Sequence, residues 1–434
     1  MSELPPGWAF TTLGTVAVLV NGSTPKGVLD APSGPIPFYK VGDMNLGNGT
    51  FMANSRVTLS VATVSELGLR LFPPGTVIFP KVGGALNTNK KRILTRRAAV
   101  DTNTMVAVPT SIIDQRFLYY WLCSIRLSAY AHGSPVPSIS RRRFAEAPLA
   151  LPPYQEQRRI VGAIEEQFSQ LDTAMAALEQ ARKKLDQMRR AVLQTVFAKH
   201  LVDAPTALLS DAASTQLGRM LSARRETGEH AKPYLRNRDV QWGHVHTKDL
   251  PVMDFAGADA KRFRLNHGDV LICEGGEIGR AAVWTAPIVE CYFQKAVHRV
   301  RCSAELDPYF LRYLLEYYAR TRAFDRFASG STIAHLPQED LRRLPVPMPS
   351  VAEQQATVSV VERQFSALDH LLDSITSLTH RAATLRASVF AAAFSGELVP
   401  QNSCEEQASV LLERIEAERV LATRHKSTKL AANV

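Results

Sequence analysis

The chain has 434 residues, a net charge of +10 and 45% apolar residues, enough for two or three domains that each bury a core. It has no run of about 18 apolar residues, its polar start lacks the form of a secretory signal and its five cysteines are scattered. We therefore expect a cytoplasmic protein without disulfides or membrane spans. Residues 1–150 carry +8 of the charge, which is consistent either with a polyanionic partner or with a well-solvated surface.

Residues 1–147 are predicted to form a first mixed α+β block. Short β-branched segments alternate with Gly, Pro, Asn and Asp turns, and an amphipathic helical segment at 117–122 follows them. A loop at 81–92 (KVGGALNTNKKR) interleaves glycine, asparagine and basic residues, and residues 141–143 are all arginine. Basic side chains neutralise phosphates, and Asn or Arg can read base edges, so these clusters indicate nucleic-acid binding.

Residues 148–201 follow as a long helix after a proline-rich approach. Its apolar residues are spaced by four and three, then by seven: Ile164, Phe168, Leu171, Met175, Leu178, Leu185 and Val192. So narrow a stripe predicts a coiled-coil seam rather than a helix lying on a globular core. Arg182 and Arg189 interrupt the seam, and we expect them to fix its register or to face partner subunits.

Residues 202–344 form a second predicted block that is weakly related to the first. Its segments 232–239 and 310–315 parallel 37–43 and 117–122. Candidate nucleic-acid contacts are spread over several of its turns: Arg219, Arg224, Arg225, Arg236, Asn237, Arg238, Trp242 and Arg280. The α+β fold of the first block is therefore expected again.

Residues 345–398 repeat residues 148–201 without a gap, at an offset of 197. Fifteen of the 54 aligned positions are identical, where average composition gives about three. Among them are Glu156/Glu353, Gln157/Gln354, Phe168/Phe365, Leu171/Leu368 and Asp172/Asp369. Such a repeat fixes the architecture as two blocks, each followed by a long helix. Residues 399–434 end the chain with another predicted amphipathic helix.

Catalytic motifs are weak. Residues 151–154 (LPPY) have the outline of an amino-methyltransferase loop, but Leu151 stands where an Asp, Asn or Ser oxygen is needed. Asp259 and Lys261 give a chance-level nuclease match. Three conceivable zinc ligands lack paired spacing: Cys291, His298 and Cys302. The alternatives to DNA recognition are a nuclease or methyltransferase acting alone, and a coiled-coil scaffold that does not bind DNA.

Six segments carry a family resemblance: 149–157 (LALPPYQEQ), 347–354 (PMPSVAEQ), 167–172 (QFSQLD), 364–369 (QFSALD), 330–337 (GSTIAHLP) and 79–86 (FPKVGGAL). Two variable blocks, each followed by a Glu-Gln pair and a long helix with Phe-Ser-x-Leu-Asp, resemble the specificity subunit of type I restriction-modification systems. The resemblance covers nearly the whole chain. Ser350 and Val351 replace the Pro-Tyr of the first copy, which could loosen the approach to the second helix.

The resemblance implies a bacterial chain that catalyses nothing and binds no cofactor itself. Each block would be a target-recognition domain that reads one half of a bipartite, asymmetric DNA sequence. The helices would pack antiparallel as a coiled coil with internal pseudo-twofold symmetry, set the gap and dock two methyltransferase subunits. Those partners would bind S-adenosylmethionine, and endonuclease subunits would use ATP and Mg²⁺. The alternative is a DNA-binding scaffold acting alone, or a recognition subunit with a methyltransferase and no endonuclease.

Two sets of residues are predicted to carry these roles. The expected DNA contacts are Tyr39, Lys40, Lys81, Asn87, Asn89, Lys90, Lys91, Arg92, Arg141, Arg142, Arg219, Arg236, Asn237, Arg238, Trp242, Arg280 and Ser331. The expected spacer and docking residues are Glu156, Gln157, Phe168, Leu171, Leu178, Leu185, Glu353, Gln354, Phe365, Leu368 and Ile375. No catalytic residue and no metal ligand is predicted.

Overall fold

A computed structural model describes residues 4–25, 34–47, 49–52, 54–133, 135–220, 228–286, 288, 290–326 and 335–431, with the backbone alone for 325–326 and 422–431. The chain divides into two compact units. The first unit is Met1–Ala176 with Thr379–Val434, and the second is Ala177–Leu378. Both units mix helices with short strands, as the sequence predicted.

The first block and its long helix contain these elements. The strands are β1 (Ala9–Thr12), β2 (Ala17–Asn21), β3 (Ile36–Tyr39), β4 (Val57–Leu59), β5 (Val77–Pro80), β6 (Arg92–Ile93), β7 (Ala99–Val100), β8 (Thr104–Pro109), β9 (Ala131–His132), β10 (Ser138–Ile139) and β11 (Pro148–Leu151). The helices are α1 (Leu13–Val16), α2 (Val61–Glu66), α3 (Gln115–Ser124), α4 (Arg141–Ala145) and the long α5 (Tyr154–Asp203).

The rest of the chain follows the same plan. The strands are β12 (Thr206–Leu208), β13 (Ala213–Leu217), β14 (Ala231–Leu235), β15 (Val240–Gln241), β16 (His244–Val245), β17 (Val252–Asp254), β18 (Val270–Cys273), β19 (Ala281–Val283), β20 (Tyr292–Phe293), β21 (Val297–Cys302) and β22 (Pro345–Pro347). The helices are α6 (Leu209–Ala212), α7 (Gly257–Arg262), α8 (Pro308–Arg320), α9 (Gln338–Arg342), the long α10 (Val351–Ser395) and α11 (Ala408–Ala431).

The two blocks have the same strand order. A four-stranded sheet runs β2-β8-β5-β6 in the first block and β13-β21-β18-β19 in the second. A three-stranded sheet runs β4-β3-β7 and β17-β14-β20, with one antiparallel and one parallel pairing in each case. Every residue of β5 and β18 is buried, as the continuous apolar runs of these strands require. The weak sequence parallels between the blocks therefore reflect one repeated strand arrangement.

The long helices begin a few residues later than the sequence repeat does. Pro148 and Pro345 begin β11 and β22, which pair antiparallel with β1 and β12 in two-stranded sheets. Such strands have a free edge, where the missing N–H of proline is tolerated. The helices that follow have 50 and 45 residues, which corresponds to about 75 and 68 Å.

A buried glutamine fastens the start of each long helix to its block. The side-chain oxygen of Gln157 accepts from the backbone N–H of Asp114 at 2.7 Å, and its amide donates to the carbonyls of Ile112 and Pro152 at 3.1 and 3.0 Å. Gln354 accepts from Asp307 N–H at 2.8 Å and donates to the carbonyls of Glu305 and Pro349 at 2.8 and 2.9 Å. Both glutamines are fully buried. Their identity in the repeat thus has an internal structural reason, and partner docking through them, as expected from the sequence, does not fit this geometry.

The far end of each long helix packs into a block core. Near the end of α5, the ring of Phe197 lies 5.2 Å from that of Phe310 in α8, within the second unit. Near the end of α10, Phe394 lies 5.5 Å from Phe117 in α3, within the first unit. Phe197 and Phe394 are equivalent positions of the repeat, so each block core is completed by an equivalent phenylalanine.

Replacing either buried glutamine by alanine should destabilise its unit strongly. Gln157→Ala or Gln354→Ala leaves one N–H and two carbonyls without their partner in a buried site, which costs about 2 to 4 kcal/mol of unfolding free energy. Urea denaturation followed by circular dichroism measures this loss. Gln167→Ala is the matched control, because Gln167 is also identical in the repeat but exposed on α5, and a change below about 0.5 kcal/mol is expected. Equal effects of the buried and exposed substitutions would contradict the fastening role.

Candidate nucleic-acid interface

In each block the loop after the central strand is joined to the segment that precedes the last short helix. In the first block, Ile139 N–H donates to the Lys81 carbonyl at 2.9 Å and Gly83 N–H donates to the Pro137 carbonyl at 2.8 Å. In the second block, Leu336 N–H donates to the Glu274 carbonyl at 2.8 Å. We call these joined segments, 81–88 with 137–139 and 274–280 with 335–336, the loop platforms. In each block, two segments that are distant in the sequence therefore meet, and they do so at equivalent positions of the fold.

A short 3-10 turn after β3 and after β14 lies in a second equivalent position. Lys40 N–H donates to Asp43 Oδ2 at 2.9 Å, and Arg236 N–H donates to Asp239 Oδ2 at 2.8 Å. Both aspartates are buried. Burial raises the pKa of Asp239, but the hydrogen bonds and charge of Arg236 outweigh it and hold this pKa below its usual value. Because Nε and one terminal nitrogen of Arg236 both donate to Asp239, the exposed cation of this turn is Arg238, whose side chain is 74% exposed.

Part of the predicted DNA-contact set lies on accessible surface. Asn87, Arg141, Arg142 and Arg238 are exposed, and four further residues are half-buried: Lys40, Lys81, Lys90 and Trp242. The arginines at 141 and 142 begin α4 immediately after β10, the strand that carries Ile139 of the first loop platform. The chain itself therefore brings Lys81, Arg141 and Arg142 close to one another at that platform.

Other members of the predicted set hold the first block together instead. Tyr39 is completely buried, and Lys91 is 1% exposed with its ammonium donating to the Ile125 carbonyl at 3.0 Å. Asn89 donates to the same carbonyl at 3.1 Å, and Arg92 donates to the carbonyls of Met44 and Gly47. The expectation that Lys91 contacts DNA directly therefore does not fit, because its charge is sealed inside the block. Sequence alone gives no sign of this, since Lys90 and Lys91 look alike.

The second block uses its predicted residues in a similar way. The Asn237 amide donates to the Gly275 carbonyl at 3.0 Å and its oxygen accepts from Arg280 at 2.9 Å, so both residues support the loop platform. Arg219 pairs with Asp259 at 3.1 Å. The Trp242 indole donates to Glu277 Oε1 at 2.6 Å, which fixes an exposed carboxylate that a pattern of basic residues does not predict. Ser331 and the two candidates Arg224 and Arg225 lie outside the described residues.

One of the two polar interruptions, Arg189, forms a contact that its equivalent Arg386 repeats, whereas Arg182 is exposed. In the second unit, Arg189 of α5 pairs with Asp369 of α10, and its guanidinium lies 4.5 Å from the ring centre of Phe365. In the first unit, Arg386 of α10 pairs with Asp172 of α5 and lies 4.9 Å from the ring centre of Phe168. We call these two contacts the clasps. All three residue types are identical in the repeat, so the arginines meet the other helix of their own unit, as expected for residues that fix register.

The remaining seam and docking residues differ in their exposure. Leu185 and Phe365 are buried, and a larger group is half-buried: Phe168, Leu171, Leu178, Leu368 and Ile375. Glu156 is completely buried and accepts from the Trp8 indole at 3.0 Å and from the Gln401 amide at 3.3 Å. Its equivalent Glu353 is exposed and accepts from the Ser350 hydroxyl at 2.7 Å. Of the two Glu-Gln pairs, only Glu353 is accessible to a partner.

Each clasp also lines a cavity beside its block. The cavity of the first unit has a volume of about 830 Å³ and is bounded by Tyr120, Glu165, Phe168, Ser169, Asp172 and Arg386. The cavity of the second unit has a volume of about 660 Å³ and is bounded by Tyr313, Glu362, Phe365, Ser366, Asp369 and Arg189. The five residues of each set that lie on the long helices α5 and α10 are identical between the repeats. Within the described ranges, no cluster of His, Cys, Asp and Glu is arranged to hold a metal ion, and no helix is both long and apolar enough to cross a membrane.

Comparison with known proteins gives a consistent family. The profile described as the type I restriction modification DNA specificity domain matches residues 5–185 and 209–376. The chain is 23% identical to the specificity subunit of the EcoKI type I restriction enzyme of Escherichia coli K12, over 98% of each chain. It is 26% identical to the EcoBI specificity subunit of Escherichia coli, over 73% of this chain and 74% of that one. The solved HsdS subunit of Thermoanaerobacter tengcongensis has a similar fold, with a TM-score of 0.52 at 18% identity over 91% of this chain and 98% of that one. A chain solved in a study of complex assembly of a type I R-M system reaches 0.72, also at 18% identity, over 92% and 100%.

The buried ammonium of Lys91 should make stability depend on pH. Burial lowers the pKa of Lys91 from 10.5 to about 8, so between these values the folded chain binds fewer protons than the unfolded chain. Stability contributed at this position therefore rises as the pH increases from 8 to 10.5. Relative to Lys91→Met, the wild type should gain up to about 3 kcal/mol of unfolding free energy over this window. Urea unfolding of both proteins at pH 7.5 and pH 10 measures the gain, and an unchanged difference would contradict it.

Proposed function

Because the chain belongs to the type I restriction modification DNA specificity family, we propose that it reads a bipartite DNA sequence, one half with each block. Its relatives are named specificity subunits, which are the non-catalytic members of type I restriction enzymes. The recognition function is carried by one observation above all. The two loop platforms share an equivalent backbone hydrogen bond, Ile139 to Lys81 and Leu336 to Glu274, but present different side chains.

The side chains on the two platforms suit different half-sites. The first platform presents Lys81 and Asn87, and Lys90 follows it in the chain. The lysines suit phosphates, and the asparagine amide suits the donor and acceptor groups on the edge of adenine. The second has Glu277 held by Trp242, and a carboxylate in a groove accepts hydrogen bonds from base amino groups such as that of cytosine. Two unlike readers on one chain read an asymmetric sequence, whereas two identical readers read a palindrome.

The two long helices are the spacer between the readers, and they pair antiparallel as a coiled coil. Support comes from the order of contacts within each unit. In the first unit the ring of Phe168 lies 5.1 Å from that of Phe390, and Asp172 pairs with Arg386. The contact positions therefore advance along α5 as they go back along α10, which is the order expected of an antiparallel pair. A polar residue at a seam position costs stability but specifies register. The clasps supply that specification at two places related by the repeat, as a pseudo-twofold arrangement requires.

The cavities beside the clasps are the docking sites for two methyltransferase subunits. Residues that read different half-sites must differ between the blocks, whereas residues that bind two copies of one partner have reason to stay the same. Ser169 and Ser366 are exposed and identical yet have no evident packing role, which fits partner binding better than folding. The methyltransferase subunits bring S-adenosylmethionine, and endonuclease subunits attached through them bring ATP and Mg²⁺. The compartment of this assembly is the bacterial cytoplasm, where the DNA is.

Selection from random duplex pools tests the proposed function directly. The full-length chain, reconstituted with its methyltransferase subunits, should retain duplexes that share two short, different sequence blocks separated by a constant gap. Lys90→Ala should weaken retention of all sequences and reduce the salt dependence by about 0.9 per lost phosphate contact without altering the consensus. Lys183→Ala, on the exposed surface of α5, is the matched control and should leave both unchanged.

Two results would contradict the function. Retention of duplexes without any sequence preference would mean that the chain binds DNA only nonspecifically, through a basic surface. A single uninterrupted block, or a palindrome, would mean that the two blocks do not read separate half-sites.

A further inference from the structure

The C-terminal helix α11 breaks the repeat, because it covers the start of α5 and the described residues of the second unit contain no counterpart. Its Ala408, Leu411 and Ile415 are buried against the first block, as predicted for an amphipathic helix. Ala408 N–H donates to the Gly7 carbonyl at 2.9 Å, and Glu405 just before the helix pairs with Arg159 of α5. Together these contacts place a helix across the first turns of α5.

The same surface of the second unit is open. There α5 leads into β12 within three residues, and no described helix of that unit lies across the start of α10. Val202 is 83% exposed and Val351 is 37% exposed. Glu353 is exposed on this surface, whereas its equivalent Glu156 is completely buried beneath Trp8 and Gln401. Identical residues thus have opposite exposure because one is covered and the other is not.

The apolar residues of this surface belong to segments that are bonded to one another. We define the open face as Val202, Ala304, Val351, Ala352 and Ala356, all of them exposed. The Gln354 amide joins α10 to the Glu305 carbonyl, next to Ala304. The His200 ring joins the end of α5 to the Thr357 hydroxyl at 2.7 Å, next to Ala356. Exposed apolar patches framed by polar residues are typical of binding surfaces.

Charge distinguishes the occupant of the open face from the segment 405–421, which includes the part of α11 that packs on the first block. Residues 405–421 contain five glutamates and two arginines, and Arg159 forms an ion pair with Glu405 in the first unit. The second unit has Ala356 in place of Arg159. Three exposed carboxylates surround the open face against one exposed lysine: Asp203, Glu305 and Glu353 against Lys199. The acidic segment 405–421, which includes the part of α11 that packs on the first block, is repelled there, and a basic helix is attracted.

We propose that the open face binds an amphipathic helix rich in basic residues, supplied by another subunit of the complex, in the place that α11 occupies in the first unit. Such a helix lays its apolar side on the alanines and valines and brings a donor to Glu353. The identification of that subunit as the methyltransferase rests on the proposed function. The two docked methyltransferases are then not equivalent, because only one of them meets an open face.

Photo-crosslinking in the reconstituted complex tests the inference. A photoreactive residue at position 352 should capture a Lys/Arg-rich peptide of the methyltransferase. The same residue at position 155, the equivalent in α5, should capture only this chain's own residues near Cys404–Arg414, which line a shared cleft with Gln155. Absence of a partner crosslink at 352, or capture of α11 from a second copy, would overturn the proposal.

A charge series at one position tests the chemistry of the occupant. Ala356→Arg and Ala356→Glu add similar bulk with opposite charge, so the order of their effects reports the charge of the helix that binds. The arginine variant should lower the affinity for one of the two methyltransferases at least tenfold relative to the glutamate variant, measured by native mass spectrometry on dilution. Equal or reversed effects would overturn the proposal. Failure of the chain to select a bipartite sequence, with both results intact, would refute the proposed function instead.

Discussion

Each long helix is fixed to its globular block by the buried side chain of one glutamine, and the rest of the arrangement depends on that connection. Gln157 and Gln354 each satisfy one N–H and two carbonyls from two segments of the chain. A buried amide of this kind resists displacement, because removing it leaves three backbone groups without partners. A helix held in this way cannot rotate freely relative to its block. A change in helix length is therefore expected to move the block, which is the property that a spacer needs.

The repeat also separates what both halves share from what each half does alone. The fastening glutamines, the clasps and the five long-helix residues named for each cavity are identical in the two copies, whereas the loop platforms share an equivalent backbone hydrogen bond and differ in their side chains. Shared residues suit tasks that are done twice, namely holding a helix and docking a common partner. Divergent residues suit the reading of two different sequences. Within the part of the chain that the structure describes, the one large element outside this division is α11, and its effect is to make two otherwise similar surfaces unequal.

Much of the architecture follows from the sequence because periodicity and repetition are properties of the chain itself. The two blocks, the two long helices, the C-terminal helix and the repeated arginine of the helix seams, Arg189 and Arg386, could all be predicted. The roles of single residues could not. Lys90 and Lys91 are neighbours of the same type, yet one is half-exposed and the other is sealed against the Ile125 carbonyl. Glu156 and Glu353 are identical in the repeat, yet Trp8 and Gln401 bury only the first. Such differences depend on residues that are distant in the sequence and become visible only when the chain is folded.

The central claim is that the helix pair sets the distance between two sequence readers, and coordinated insertion tests it most directly. One heptad inserted into α5 between Leu178 and Leu185, together with one at the equivalent point of α10, lengthens both helices by about 10 Å. The gap in the selected DNA sequence should then grow by about three base pairs while both half-sites stay the same. Insertion into α5 alone should disrupt assembly, because the two clasps lie on either side of the insertion and can no longer form at the same time. A paired insertion that preserves DNA selection with an unchanged gap would contradict the account.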